Sequence, residues 1–198
     1  MRSSLSAFAS LAILLSGKTA ATAIYAPPAS TTNAAGCSGA LTKFQFFGVN
    51  ESGAEFGSQN IPGVLGKDYT WPSPSSIDYF VGKGFNTFRV TFLMERLNPP
   101  SSGLTGPFDA TYLSGLTTAT HNYMRYNGAI ISSNSDFSTF WTNLANQFKS
   151  NSHVIFDLQN EPNGIDATVV AASMQAAVNA IRAAGATSQL ILVEGTCE

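Results

Sequence analysis

The chain has 198 residues, of which 44% are hydrophobic and 11% are charged, and its formal net charge is −2 at pH 7. Globular proteins usually contain about 25% charged residues, so the low value favours a secreted protein with a neutral partner. Binding to nucleic acid needs a basic patch. Arg89, Arg96 and Arg125 are scattered among apolar and aromatic residues, so we predict no nucleic-acid partner.

The cysteines and histidines do not predict a metal site. Cys37 and Cys197 lack metal-ligand spacing, and His121 and His153 are far apart in the sequence. The two cysteines could pair in an oxidising compartment. Because one lies in a predicted linker and the other is next to the last residue, we do not predict a disulfide. We therefore expect no cofactor and no metal.

The first 23 residues have the features of a secretory signal peptide. Arg2 provides a positive charge, residues 5–15 are mostly apolar, and small residues follow up to Ala23. The apolar run is shorter than the roughly 20 residues that span a membrane, so we expect no membrane anchor. The alternative is a mobile N-terminal tail. Residues 24–40 are rich in Ala, Pro, Ser and Thr and read as a linker or propeptide, which leaves residues 41–198 as the folded domain.

The folded part alternates predicted strands with predicted helices. The pattern predicts strands over residues 44–49, 88–92, 154–158 and 189–193, and helices over residues 74–82, 109–116, 136–148 and 167–184. Ser73 or Ser75 and Asp109 are candidate N-caps, and Gly185 is a candidate C-cap. Alternation of this kind indicates a parallel sheet built from βα units.

One strand end carries the strongest candidate for catalysis. The apolar run from Val154 ends at Asn160-Glu161-Pro162, where the proline stops the ladder. In α/β barrels, catalytic side chains project from the carboxyl ends of strands. The alternative is a surface loop that happens to contain a glutamate.

Five segments in this order resemble glycoside hydrolases of family 5, in particular fungal endo-β-1,4-glucanases. They are Asn160-Glu161-Pro162, Phe88-Arg89-Val90, His121-Asn122-Tyr123, the run over residues 50–57 and the run over residues 181–189. The resemblance covers nearly all of residues 44–196. It implies an α/β fold of the (β/α)8 TIM-barrel family and hydrolysis of internal β-1,4-glucosidic bonds with retention of configuration.

The resemblance also implies roles for single residues. Glu161 matches the general acid/base, and Asn160 matches the residue that hydrogen-bonds the sugar 2-hydroxyl. Arg89 matches the arginine that orients the nucleophilic carboxylate. His121, with Asn122 and Tyr123, matches cleft residues that bind substrate. Tyr126 and Trp71 are further candidates for contact with sugar.

The proposed chemistry explains these residue types. A retaining glycosidase needs two carboxyl groups about 5–5.5 Å apart. One protonates the leaving oxygen and later activates water, so its pKa must be raised. The other attacks the anomeric carbon, and a nearby arginine keeps it ionised.

Structural explanations remain open for several of these residues. Arg89 could be an ion-pair partner below the barrel mouth, and His121 could be a loop histidine with satisfied hydrogen bonds. Asn50 begins a formal glycosylation sequence, although the resemblance places it at the cleft rim. We assign Asp157 to the barrel wall, with no catalytic role. Phe137, Phe140 and Trp141 form one helical stripe, which predicts core positions.

The sequence departs from the family pattern in two places. No apolar strand lies between the helix ending near residue 118 and His121, so the third barrel strand is predicted to be missing. The nucleophile belongs to the seventh strand, whereas the sequence stops after the fifth, and neither Glu194 nor Glu198 is expected to replace it. We therefore expect about strands 1–5 of the barrel, with open sheet edges.

These departures define the functional expectations. We expect an endo-β-1,4-glucanase that is inactive or impaired as this chain stands, secreted, monomeric, and directed at a cellulose-like β-glucan. One alternative is a non-catalytic glucan-binding fragment. The other is a β-mannanase-type enzyme of the same fold.

Overall fold

The computed structural model describes residues 9–13, 45–116, 120–122, 125–126, 129–158, 160, 162 and 164–195, with only the backbone path for 9–13, 120–122 and 125–126. The strands in this part are β1 (Ala9–Ile13), β2 (Gly48–Ala54), β3 (Thr87–Phe92), β4 (Thr120–Asn122), β5 (Arg125–Tyr126), β6 (Ala129–Ile130), β7 (Val154–Asp157) and β8 (Ile191–Leu192). The helices are α1 (Pro74–Gly82), α2 (Met94–Leu97), α3 (Ala110–Leu116), α4 (Asn134–Phe148) and α5 (Ala167–Ala183). The predicted linker, Cys37 and Cys197 lie outside the described residues.

The main sheet has the order β2-β3-β1-β7-β8, with β4 paired to β1. The pairs β2–β3 and β7–β8 are parallel, as predicted from βα alternation, whereas β1 runs antiparallel to its neighbours, so the sheet as a whole is mixed. Gly48 at the start of β2 is required by this pairing. A Cβ there would lie 2.1 Å from the carbonyl oxygen of Thr87 on β3.

The predicted gap for a third barrel strand is filled by β1. This strand belongs to the apolar segment predicted as a secretory signal, and it runs antiparallel to β3 on one side and to β7 on the other. Ala12 is in register with Arg89 and with Ile155. Without β1, two buried strand edges would face each other with unpaired N–H and C=O groups, which is costly. The expected open interior edge is therefore closed in this structure, while cleavage of the segment stays a prediction.

The predicted helices are present, and the predicted N-caps of α1 and α3 are confirmed, whereas the C-cap of α5 is Ala184 and not the predicted Gly185, which follows it. Ser73 caps α1 by accepting a hydrogen bond from the Ser76 amide at 3.1 Å, and Asp109 accepts from the Tyr112 amide at 2.7 Å. Asp166 caps α5 in the same way. The predicted start of α4 at Asp136 was wrong, because Ser133 is the N-cap and Asp136 lies in the first turn.

Two predicted strand ranges were also wrong at their ends. The last strand, predicted over residues 189–193, spans only Ile191–Leu192. The first strand begins at Gly48 and continues to Ala54, beyond the predicted end at residue 49. Phe46 and Phe47 before it remain 38% and 46% exposed, so the aromatic run that suggested a strand does not contribute to the core. The sequence pattern missed the single-turn α2, the short strand β4 and the β5–β6 hairpin, because segments this short carry no periodic signal.

The core lies between the sheet and the helices that follow it. Phe137, Phe140 and Trp141 on α4 are at most 1% exposed, which confirms the predicted core stripe. They pack with Phe156 on β7 and with the buried face of α5. A smaller cluster under α1 joins Ile77 to Phe88 and Val90 on β3. This packing holds β3 and β7 in place, so that their other side chains face the inside of the partial barrel.

None of the helices in the described part of the chain is long and apolar enough to cross a membrane.

Candidate active site

The candidate site is organised around the guanidinium group of Arg89 on β3. Its Nε donates to Asp157 Oδ2 on β7 at 3.1 Å, and its Nη2 donates to Asn160 Oδ1 at 2.6 Å. Nη2 also lies 3.3 Å from Glu194 Oε1, just after β8. Three polar side chains from the ends of two neighbouring parallel strands therefore converge on one arginine, at the edge where barrel enzymes place their catalytic groups.

Burial makes the two ion pairs of Arg89 unequal. The Asp157 side chain is 4% exposed, the Arg89 side chain 24% and the Glu194 side chain 33%. Solvent screens the Arg89–Glu194 pair more strongly than the Arg89–Asp157 pair. Asp157 is therefore the principal anchor of the guanidinium group.

Burial raises the pKa of the Asp157 carboxyl from its ordinary value to about 8. Removal from water is the largest cause; the Arg89 charge opposes it and the Glu194 charge adds to it. The second oxygen, Oδ1, is buried and accepts no hydrogen bond within the described part of the chain. An Asp157 proton can therefore be retained near neutral pH, with Glu194 balancing the charge of Arg89.

Beside Arg89, the inner face of the sheet is open. Asn50 on β2 is in register with Arg89 on β3. The two residues line a cavity of about 260 Å³ together with Gly48, Val49 and Thr87. Asn50 therefore lies beside Arg89, on a strand and not on a loop, and its position at the rim of a substrate cleft stays a prediction.

The loop that follows β2 is fixed at the same end of the sheet. Thr91 on β3 donates a short hydrogen bond to Glu55 Oε2, which also accepts from the Gly53 amide at 2.7 Å. Arg96 on α2 donates to the carbonyl oxygens of Ala54, Gly57 and Pro62 at 2.8–2.9 Å. The loop at this rim of the partial barrel is therefore held by buried polar contacts.

The structure brings together two of the six predicted site residues, Arg89 and Asn160. Glu161 and Tyr123 lie outside the described residues. His121 and Asn122 belong to β4, where the backbone pairs with β1 and His121 is in register with Ser10. The structure describes only the backbone of these two residues and of Tyr126.

Trp71 packs against other aromatic side chains, and its predicted contact with sugar stays a prediction. It is half-buried and packs against Tyr112, with ring centroids 4.8 Å apart, and edge-on to Tyr69. A Cβ at Gly115 would lie within 2.2 Å of its indole ring. Trp71 therefore has a packing role in this structure.

Sequence reasoning missed Asp157 and Glu194 as parts of the site. Asp157 was assigned to the barrel wall, and the structure confirms its burial but adds its contact with Arg89. One signal was present, since an aspartate inside an apolar strand needs a partner to offset its burial. The sequence does not say which arginine provides it.

The fold and this cluster are those of a partial α/β barrel with polar groups at the carboxyl edge of its sheet, and comparison with known proteins makes the class specific. Residues 49–197 match the cellulase family, glycosyl hydrolase family 5. The chain belongs to glycoside hydrolase family 5, and the described residues form part of a (β/α)8 barrel.

Named relatives agree with this assignment. The chain is 55% identical to endo-beta-1,4-glucanase B of Aspergillus niger and 52% identical to endo-beta-1,4-glucanase B of Emericella nidulans, over 77% of this chain in each case. These matches cover 49% and 50% of the relatives. The chain thus spans about half the length of the relatives it matches.

Solved structures give the same result. The structure of XacCel5A in complex with cellopentaose matches with a TM-score of 0.70 and 40% identity, over 77% of this chain and 53% of the other. The endo-beta-1,4-glucanase Xac0029 from Xanthomonas axonopodis pv. citri matches with a TM-score of 0.71 and 38% identity, over 77% and 53%.

Proposed function

We propose that this chain forms part of the catalytic domain of a retaining endo-β-1,4-glucanase, with Glu161 as the general acid/base. The observation that carries the proposal is the 2.6 Å contact between Arg89 and Asn160, immediately before Glu161, at the carboxyl edge of the sheet. Two residues to which the family resemblance assigns roles meet there although they are 71 positions apart in the sequence.

The proposed reaction proceeds by double displacement. Glu161 donates its proton to the glycosidic oxygen as a second carboxylate attacks the anomeric carbon and forms a glycosyl-enzyme intermediate. Glu161 then takes a proton from water, which attacks the same carbon and releases the sugar. None of the described residues matches the nucleophile, so the complete reaction requires a carboxylate beyond them.

Asn160 and Arg89 have separate tasks in this scheme. Arg89 donates a hydrogen bond to Oδ1 of Asn160. The amide nitrogen of Asn160 is therefore the end that donates to the sugar 2-hydroxyl. That hydrogen bond strengthens as positive charge develops on the sugar ring. His121, Asn122 and Tyr123 are proposed to line the substrate cleft, and Arg89 to orient the nucleophile.

The proposed substrate is a cellulose-like β-1,4-glucan. The names of the relatives and the cellopentaose in the XacCel5A complex support this choice. We also propose that residues 1–23 direct secretion, on the basis of their composition, and that the protein acts as a monomer without nucleic acid or a membrane.

An assay of reducing ends tests the catalytic proposal. The chain and its Glu161→Gln variant are incubated with carboxymethyl cellulose, and with β-mannan in parallel. We expect release of reducing ends from the glucan by the unmodified chain to be far slower than by a complete enzyme, and slower still in the variant, because glutamine cannot donate the proton.

The other outcomes separate the alternatives. Equal activity of the two proteins contradicts the role of Glu161. Release from mannan but not from glucan contradicts the proposed substrate. Absence of activity in both, with glucan binding retained, contradicts catalysis by this chain and favours a glucan-binding fragment. Because removal of one member of a catalytic pair has a large effect, the assay must detect rates far below those of a complete enzyme.

A further inference from the structure

Arg89 is held in one orientation by Asp157, Asn160 and Glu194. Its planar guanidinium presents N–H donors in a fixed fork. Asp157 takes the Nε side of that fork at 3.1 Å, while Asn160 and Glu194 share Nη2 at 2.6 and 3.3 Å. Once Nε is bound to Asp157, the direction of Nη2 is set, because the group is rigid.

The Arg89–Asp157 pair crosses the sheet between strands that are not neighbours. β3 carries Arg89, β7 carries Asp157, and β1 lies between them. The pair therefore adds no hydrogen bonds between neighbouring strands. What it determines is the orientation of the other side chains that Arg89 contacts. Among these, Asn160 makes the shortest contact.

The amide of Asn160 has two ends of opposite character. Its oxygen can only accept hydrogen bonds and its nitrogen can only donate them. When Arg89 donates to Oδ1, the nitrogen faces away from the arginine. If the arginine could rotate, the amide could turn over and present the wrong end to a sugar hydroxyl.

We propose that Asp157 is a positioning residue, which acts through Arg89 to fix the amide of Asn160 in the orientation that donates to the substrate. Glu194 is the secondary anchor of the same arginine, because it is more exposed and 3.3 Å from Nη2. The part of this inference that concerns substrate rests on the proposed function; the part that concerns the Asn160 amide does not.

The first experiment needs no ligand. The Asn160 side-chain amide and the Arg89 Nε–H group are observed by ¹H–¹⁵N NMR in the full chain and in three variants. Asp157→Leu has a similar volume and no acceptor, Asp157→Asn keeps an acceptor oxygen, and Asp78→Asn removes a carboxylate on α1 as a matched control. We expect both signals to shift in Asp157→Leu and to stay in place in Asp157→Asn and Asp78→Asn.

A second variant that breaks the same contact provides the test if Asp157→Leu does not fold. Arg89→Lys keeps the charge but cannot span Asp157 and Asn160 with a rigid fork. We expect it to shift the Asn160 amide signal as Asp157→Leu does. An Asn160 signal that is unchanged in whichever of these variants folds overturns the inference.

The second experiment is a double-mutant cycle in which the affinity of each variant for cellopentaose is measured by titration. Loss of the Asn160 hydrogen bond is expected to weaken binding about tenfold. Asp157→Leu alone should weaken binding by this amount. In the Asn160→Ala background it should weaken binding hardly any further, because both changes remove the same contact. Additive losses indicate a merely structural role and contradict the inference.

The two experiments also separate this inference from the proposed function. If the unmodified chain does not bind cellopentaose but the Asn160 signal depends on Asp157, the positioning role stands and the substrate proposal fails. If cellopentaose binds and the Asn160 signal is unchanged by substitution of Asp157, the substrate proposal stands and the positioning role fails.

Discussion

At the scale of single residues, Asp157 shows how burial and charge combine at this site. Its side chain lies in the sheet interior and meets only one cation among the described residues, Arg89, which Glu194 also contacts. Two carboxyl groups facing one guanidinium cannot both be fully neutralised. Removal of Asp157 from water is the main reason that its pKa rises to about 8; the charge of Arg89 opposes the rise, and the charge of Glu194 adds to it.

This pKa has a consequence for stability. A carboxyl group whose pKa is higher in the folded chain than the ordinary 3.8 binds a proton that the unfolded chain has lost. Its stabilising effect is complete below pH 3.8 and is lost as the pH rises to about 8. We expect the free energy of unfolding to fall over this range, by at most about 1.4 kcal/mol per pH unit from this single proton.

Denaturant unfolding at a series of pH values measures the effect. Asp157→Asn should be less sensitive to pH between 4 and 8, and Asp78→Asn, at an exposed site on α1, should behave as the unmodified chain. Identical pH profiles for the Asp157→Asn variant and the unmodified chain would be incompatible with a raised pKa at Asp157.

Arg96 is a second buried cation, and it has a different role. It is 2% exposed and donates to the carbonyl oxygens of Ala54, Gly57 and Pro62, while its guanidinium lies 4.4 Å from the centre of the Tyr69 ring. We expect Arg96→Met to lower the free energy of unfolding by roughly 3 kcal/mol, because buried carbonyl groups lose their donors.

The comparison for Arg96→Met is Lys67→Met, which removes an exposed cation from the same region. Lys67→Met should change stability by less than about 0.5 kcal/mol. Equal effects of the two substitutions, measured by denaturant unfolding, would show that the carbonyl contacts of Arg96 contribute little.

At the scale of the elements, α4 and α5 pack against each other and against β7 to form the largest part of the core. The amphipathic pattern of α4 places Phe137, Phe140 and Leu144 on its buried face. This packing holds β7, and through it Asp157 and Asn160, at the edge of the sheet. Stability of the helix pair and geometry of the site are therefore linked.

Truncation of one side chain in this interface tests the link. Leu144 is 0% exposed, so Leu144→Ala removes buried apolar surface and leaves a cavity, at a cost of about 2–5 kcal/mol. Gln147→Ala on the exposed side of the same helix should cost far less. Thermal unfolding of the two variants provides the comparison, and a Leu144→Ala loss below about 1 kcal/mol would contradict the assigned core.

At the scale of the whole molecule, β1 decides whether the sheet is continuous. The same apolar residues that predict a secretory signal also form a strand between β3 and β7, because both roles require a short apolar segment. Cleavage near residue 21 or 23 would remove this strand and expose two inner strand edges. Such edges promote association with other strands.

We therefore expect Ala12→Pro to loosen the centre of the sheet. Proline has no N–H group for the ladder, and Ala12 is in register with Arg89 and Ile155. Hydrogen exchange, followed by mass spectrometry, should become faster in β3 and β7. Ala12→Val, which favours a strand, is the control, and unchanged exchange in Ala12→Pro would rule out β1 as a central strand.

The sequence by itself determined the local elements and the identity of the family. Helical periodicity placed α4 and α5, an apolar run placed β7, and ordered motifs around Arg89 and Asn160 predicted the glycoside hydrolase. These signals are local, since caps, periodicity and strand ends are read within a few residues. The bounds of β2 and the start of α4 were less well predicted, because a nearby serine or glycine decided them.

Only the tertiary structure decided which residues share the site. Asp157 is 68 positions and Glu194 105 positions from the arginine that they contact, and no local pattern pairs them. The same holds for β1, whose neighbours in the sheet come from distant parts of the chain. Buried charges and unpaired strand edges both require a partner, but packing of the whole chain selects which partner that is.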